Sequence, residues 1–532
     1  MNLKKTLVLS VILILTLSIA LIGCSSKTSA PKEESQNVKE STAKEGNDIT
    51  IAVADNFISL DPHDTNDTLS FSAEKTMLEG LIGFDKDMKM VPVLADKWVA
   101  SEDAKEFTFF LKKGISFHDG TSFNAEAVKT NIDRLADPNS KLKRHSLFAL
   151  VDKTEVVDEY TVKVTLKEPF GAMLNNFAHP AAMMISPKAL KEGVDVARNP
   201  VGTGPYKFKE WKPGDHLTVV KNDQYWKEGQ PKLDSITFKP VPENGSRIAM
   251  LKTGEADFIY PVPAEEVNSI NGKDGIVVEN KPSIIVRYMS MNTQKKPFDN
   301  VKVRQALNYA VNKEAYLKVV NNGYGTIMNS IIAPNVQFFA EQQPYEFNVE
   351  KAKQLLAEAG YPNGFEATLW SNNNSISIKA TQFLQQQLAQ IGVKVNIENM
   401  ETGTMADKIW TVQDPKDATI QLYYGGWSPS TGDADWGIRP LLGGDLIPPK
   451  GYNTAYYQNP KADEAIQAAL KTADAEQRKA AYAKVQKLIW EDAPWVYLGV
   501  DETIFGKRDY LQGAYLLPDG ALSVENAEIV RK

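Results

Sequence analysis

Two observations predict a two-lobed protein that mixes α/β and α+β structure. From Asp48 to about Asp299 the chain alternates short strands, scattered helices and frequent turn signals, whereas past Asp299 longer helices alternate with strands. The second texture follows βαβ logic and predicts a parallel-containing α/β lobe, preceded by an α+β lobe to which the strand-and-turn tail returns. A length of 532 residues accommodates this, at ~100–200 residues for each domain-sized unit.

The elements follow in order. Lys4-Lys5, an apolar run from Thr6 to Ile22 and Leu21-Ile22-Gly23-Cys24 read as a signal peptide (1–23) ending in a lipobox, with Cys24 as the lipidation site. The apolar run is shorter than the roughly 20 residues of a membrane-spanning helix. The competing reading is a short N-terminal anchor with an incidental cysteine, on the same extracytoplasmic face. Residues 24–47 are polar, lack aromatic residues and read as a flexible tether. Order begins near Asp48, where Ile49 to Val53 alternates like a half-buried strand.

Phe107–Leu111 and Thr161–Leu166 read as strands, and Asn124–Leu135 as an amphipathic helix. Asn300–Val319 is expected as one helix capped by Asp299. Val349–Ala359 is a helix ended by Gly360. A turn at 361–364 leads to the strand Phe365–Trp370, the helix Ile378–Gln390 and the strand Val393–Ile397. The helix Ala475–Trp490 stops before Pro494 and the strand Trp495–Val500. A ligand is expected in the cleft between the lobes, which close by hinge bending.

Composition excludes several classes of function. The formal net charge of −7 moves to −9 once residues 1–23, with two lysines and no acid, are removed. That disfavours a basic face for nucleic acid. Cys24 is the only cysteine, so internal disulfides, a Cys nucleophile and thiolate metal sites are excluded. The five histidines show no i,i+4 pair, and none follows His216. HExxH, GxSxG and GxxxxGK motifs are absent, and Gly202-Thr203-Gly204 lacks a third glycine. No catalytic residue, cofactor or metal is expected.

Several long segments then carry a family resemblance. Ser59-Leu60-Asp61-Pro62-His63, the run from Leu111 to Gly120, Asn199 to Phe208 and Val303 to Ala310 resemble, in order, the extracytoplasmic solute-binding proteins of family 5. These are receptors of ABC importers for peptides, nickel and oligosaccharides. The resemblance implies a two-lobed periplasmic-binding-protein-like fold (type II, cluster C), an extra subdomain in the first lobe and a hinged interlobe cleft. It places the first lobe at 48–75, 200–290 and 501–532, the extra subdomain at 76–199 and the second lobe at 291–500. It also implies a monomer that serves an ABC permease and ATPase complex.

Ala178-His179-Pro180, Pro282-Ser283-Ile284, Arg287 to Asn292, Glu358 to Phe365, Gln385 to Gln390 and above all Gly426 to Trp436 resemble receptors of glutathione importers. The resemblance therefore implies glutathione, a γ-glutamyl peptide, as ligand. Peptide binders of the family carry an acid three residues after the tryptophan, where it holds the peptide ammonium. Here that position is Ser430. An oligopeptide or dipeptide receptor, a nickel-chelate receptor and, from another class, a secreted hydrolase are the alternatives.

A glutathione pocket needs cations for two carboxylates and a carboxylate for one ammonium, with arginine best suited to the carboxylates. Arg144, Arg287 and Arg439 are the candidate cations. Their competing roles are a solvated Lys-Arg run, a structural ion pair and a loop-surface charge. Trp427 and Tyr424 flank a Gly-Gly step and are candidate aromatic walls, against core packing. Asp433 and Asp435 are candidate ammonium partners and Asn372 a candidate amide partner, each against a role in turn formation. His118 and Gly202 read as structural.

Overall fold

The computed structural model describes residues 46–531. The expected signal peptide, Cys24 and all of the tether except its last two residues lie outside the described residues.

Ile49, Ile51 and Val53 are buried along the first strand, Asp48–Val53, and so anchor the middle of one half of an eleven-stranded sheet. That strand pairs in parallel with Ser235–Pro240 and Phe258–Tyr260. His216–Lys221 and Tyr206–Lys212 continue this half to its edge in antiparallel pairing. In the other half, Glu366–Asn372 lies parallel to both Lys394–Met400 and Leu422–Trp427. The βαβ logic read after Asp299 is realised here.

Two long strands join the halves. Ile276–Met291 runs antiparallel to Trp495–Arg508 along nearly its whole length. Ile276–Pro282 pairs beside the first half, and Val286–Met291 pairs with both Trp495–Val500 and Leu422–Trp427. Between Pro282 and Val286 the register shifts, so Ser283, Ile284 and Ile285 bulge out of the ladder. Pro282 cannot donate to a ladder. The bulge is stitched elsewhere: Ile284 N donates to Pro518 O of the C-terminal tail at 3.0 Å, and Ile285 N donates to Ser283 Oγ at 3.0 Å.

A separate four-stranded antiparallel sheet, ordered Ala95–Ala100, Glu106–Leu111, Thr161–Leu166 and Val151–Asp158, forms the extra subdomain with the helix Ala125–Ala136. Asn124 caps that helix through its side chain, as Asn at an N-cap should. The subdomain does not keep its core to itself. Phe107, Phe148 and Phe177 share one buried apolar cluster with Ile438, Tyr482 and Trp495 of the second lobe. The first lobe has its own core around Ile51, Tyr206, Phe238, Phe258 and Phe505.

The subdomain also bonds directly to the second lobe. Gly171 N donates to Leu470 O at 2.7 Å, and Asn175 Nδ2 donates to Thr431 O at 3.0 Å. A Cβ on Gly171 would lie 2.2 Å from Thr472 O, so only glycine allows this approach.

The expected single helix over 300–319 is two, Val301–Ala310 and Lys313–Val320. Val311 is extended, and the Asn312 side chain accepts from Ala315 N at 2.9 Å to start the second helix. Local capping therefore outcompetes continuous periodicity. The cap of the first helix is Asn300, which accepts from Lys302 N, rather than Asp299. The strand expected at 495–500 continues to Arg508.

Candidate functional site

A cavity of about 330 Å³ opens where the helix Thr68–Met77, Arg144, the turn after His179, the loop after Leu422–Trp427 and the tail turn at 519–521 converge. Asp67 caps the helix, accepting from Ser70 N at 2.9 Å, and the first turn presents Thr68 and Phe71 to the cavity. Arg144 precedes the short helix His145–Phe148. Its Nε donates to Thr65 O at 2.7 Å, and its guanidinium carbon sits 5.1 Å from the Phe71 ring centroid. Nη1 and Nη2 have no hydrogen-bond partner among the described residues. Arg144 thus offers a planar two-donor fork, the geometry that suits a carboxylate.

Trp427 forms the facing wall. Its Nε1 donates to Trp436 O at 2.7 Å, which holds the indole in place, and its ring lies 5.3 Å from Tyr452 and 6.0 Å from Trp436. His179 and Ser430 close one side. Nδ1 of His179 accepts from Ala181 N at 3.0 Å, so the neutral ring carries its proton on Nε2 and donates it to Ser430 Oγ at 3.2 Å. Burial, reinforced by the Arg144 charge, holds this imidazole well below its usual range.

Two carboxyl groups bear on the electrostatics. Glu74, on the same helix as Phe71, is fully buried, and neither carboxyl oxygen has a hydrogen-bond partner among the described residues. Burial, with Asp61 and Asp67 nearby, pushes it far above the usual carboxyl range against the opposing pull of Arg144. A neutral Glu74 leaves the charge of Arg144 available to a ligand. Asp519, in the tail turn, lines the cavity directly.

A smaller chamber of about 150 Å³ shares the walls His179, Pro180 and Asp519 with the first and is also lined by Lys75. A larger cavity of about 580 Å³ lies between the crossing strands and segments 260–265, 320–324 and 375–379. Arg287 lines it, but Nε and Nη2 of that residue both reach Asp501 Oδ2 at 2.7 Å. We take the Trp427 cavity as the candidate site because its arginine is not committed to an internal acid.

The structure therefore brings Arg144 and Trp427 together and places the other candidates elsewhere. Tyr424 is in the second-lobe core, its hydroxyl 2.8 Å from that of Tyr316. Asn372 ends a strand and accepts from Thr402 Oγ1 at 3.2 Å. Asp433 caps the helix Ala434–Leu442 and accepts from Arg478 Nη2 at 2.9 Å inside the protein. Asp435 holds Arg439 through two bonds of 2.7 and 2.8 Å, and both lie outside the cavity. Phe71, His179, Ser430, Tyr452 and Asp519 line the cavity without having been singled out as ligand contacts. Trp436, also missed, closes the segment that contains Trp427.

The comparisons with known proteins agree with this architecture. The family described as bacterial extracellular solute-binding proteins, family 5 Middle, matches residues 89–447. The chain belongs to that family. The glutathione-binding protein GsiB of Pectobacterium atrosepticum is 48% identical over 484 residues, covering 91% of this chain and 94% of that protein. Among solved structures, HbpA2 from Haemophilus parasuis superposes with a TM-score of 0.81 at 26% identity, covering 91% of this chain and all (100%) of that one. A dipeptide binding protein from Pseudoalteromonas in complex with Met-Leu superposes with a TM-score of 0.74 at 29% identity, over 91% and 100% of the two chains. This family 5 protein is thus a two-lobed solute-binding protein of an ABC importer that acts outside the cytoplasm, and not an enzyme.

Proposed function

We propose that this family 5 protein captures glutathione in the Trp427 cavity and delivers it to the permease and ATPase of an ABC importer. The observation that carries the reading is the Arg144 guanidinium, with both Nη groups unpartnered among the described residues, beside the Phe71 ring on a cavity walled by Trp427. Glutathione-binding proteins among its relatives, at 45–48% identity, support the ligand. Ser430, standing where peptide binders of the family carry an acid, argues against an ordinary peptide amino terminus. A volume of about 330 Å³ also sits at the small end of the ~300–1,000 Å³ range of ligand pockets.

Cleavage before Cys24 and lipidation of its sulfur would hold a monomeric receptor on the extracytoplasmic face of the membrane, with residues 24–47 as tether. Ligand binding stabilises the closed arrangement of subdomain and second lobe by its higher affinity for that state.

Calorimetric titration with reduced glutathione, oxidised glutathione, α-linked Glu-Cys-Gly and nickel with histidine tests the reading. Binding of a glutathione form without the α-linked isomer is the expected result. Tight binding of the α-linked peptide with glutathione silent would leave an importer receptor of different specificity.

A further inference from the structure

Glutathione carries two carboxylates and one ammonium, whereas Arg144 is the one permanently charged cation that lines the Trp427 cavity among the described residues. A matched site needs a second cation and an anion. Both line the adjoining smaller chamber. Asp519 lines both chambers and is 8% exposed. Its Oδ1 accepts from Ala521 N at 2.9 Å, while Oδ2 accepts from no other residue among those described.

Of the lysines lining the smaller chamber, Lys227 is paired with Glu525 at 3.6 Å. Glu79 is occupied by Thr203, Tyr225 and Trp226 at 2.8, 2.7 and 2.9 Å. Lys75, in the last turn of the helix that carries Phe71, has no ion-pair partner among the described residues; burial pushes the Asp519 carboxyl above its usual range, and the Lys75 charge pulls the other way. An acid and a cation, neither in an ion pair among the described residues, therefore line the same small chamber.

We propose that Asp519 and Lys75 form the anchor for the amino-acid end of the γ-glutamyl residue: Asp519 takes the ammonium and Lys75 the α-carboxylate, leaving the glycyl carboxylate to Arg144. The inference rests on the glutathione reading and deepens it. In a γ-glutamyl peptide the ammonium and α-carboxylate share one carbon, so adjacent opposite charges can hold both. In an α-linked peptide that carboxylate has become an amide, and Lys75 loses its partner. The pair thus reads the linkage as well as the charge, and a tail aspartate serves where peptide binders use the acid that is Ser430 here.

The test titrates the wild-type protein, Asp519→Asn and Lys75→Met with three ligands. These are glutathione, glutaryl-Cys-Gly, which lacks only the ammonium, and γ-aminobutyryl-Cys-Gly, which lacks only the α-carboxylate. Wild type should bind each analogue about tenfold or more weakly than glutathione, as expected for loss of a charge-assisted contact. Asp519→Asn should lose a similar factor for glutathione and almost none for glutaryl-Cys-Gly. Lys75→Met should do the same with γ-aminobutyryl-Cys-Gly as its indifferent ligand. A residue that merely supports the fold would weaken all three ligands alike, and that pattern overturns the proposal. The amide of Asp519→Asn keeps an oxygen for Ala521 N, and if a variant fails to fold the wild-type series still decides: equal affinity for all three ligands rejects the anchor. Wild type binding no glutathione at all would instead sink the functional reading and the anchor with it, a distinguishable outcome.

Discussion

The segment Gly426 to Trp436 divides between two fates. Trp427, Ser428 and Ser430 line the cavity, whereas Asp433 and Asp435, a few residues on, are buried against Arg478 and Arg439. The same contrast separates two arginines. Arg478 is 4% exposed and bonded to an Asp433 that is fully buried, while Arg144 spends one nitrogen on a carbonyl and keeps its fork open. Charges satisfied within the fold hold the loop in place, and those left unsatisfied at its edge are the ones a ligand can recruit. Pairing, more than residue type or position in a motif, distinguishes the two.

Breaking the structural side should cost most. Asp433→Ala leaves Arg478 buried without its acid and removes a helix cap, and denaturant unfolding should show a loss of about 3–5 kcal/mol. A loss below about 1 kcal/mol, the range of exposed pairs, would show that the pair is not holding the loop. On the ligand side, Arg144→Met should weaken glutathione binding by about tenfold to a hundredfold, equivalent to a lost charged hydrogen bond. The melting temperature without ligand should barely move, and a large drop there would assign Arg144 to the structural class.

A smaller effect sharpens the comparison without touching either class of charge. Gly171→Ala sets a methyl group against Thr472 O and should part the subdomain from the second lobe. Affinity should fall by the fraction of molecules no longer able to close, together with a larger radius in solution scattering. Unchanged affinity and radius would show that this contact does not gate closure.

The smallest effect concerns Glu74. Its folded-state titration point is raised far above the ordinary 4.5 by burial, so above pH 4.5 the folded chain keeps a proton that the unfolded chain releases. Stability from this group therefore falls as pH rises. Glu74→Gln should raise the melting temperature at pH 7, with the gain fading as pH drops through the ordinary carboxyl range. A gain independent of pH would rule out the neutral carboxyl.

Much of the fold was legible because periodicity and caps act locally. Thr161–Leu166 and the helix read over 124–135 appear where alternation and amphipathic spacing place them, the helix itself at Ala125–Ala136. The crossing strand Ile276–Met291 was not read as one element, because Pro282 signals a break and the bulge that absorbs it depends on a carbonyl from residue 518. In the site, Arg144 and Trp427 were legible as a base and an aromatic ring in suitable company. Asp433 resembled a ligand because its partner Arg478 lies on a distant helix. Asp519 went unnoticed because Pro518-Asp519-Gly520 reads as an ordinary turn, and only the return of the tail brings it to the cavity.

The order of strands has a consequence for biogenesis. Trp495–Arg508, which follows every other strand of the eleven-stranded sheet along the chain, pairs between Ile276–Met291 and Phe258–Tyr260 in the middle of the sheet. A chain that ends short of it has two half-sheets with open inner edges and no strand to pair them. The complete sheet thus cannot form until that strand is present.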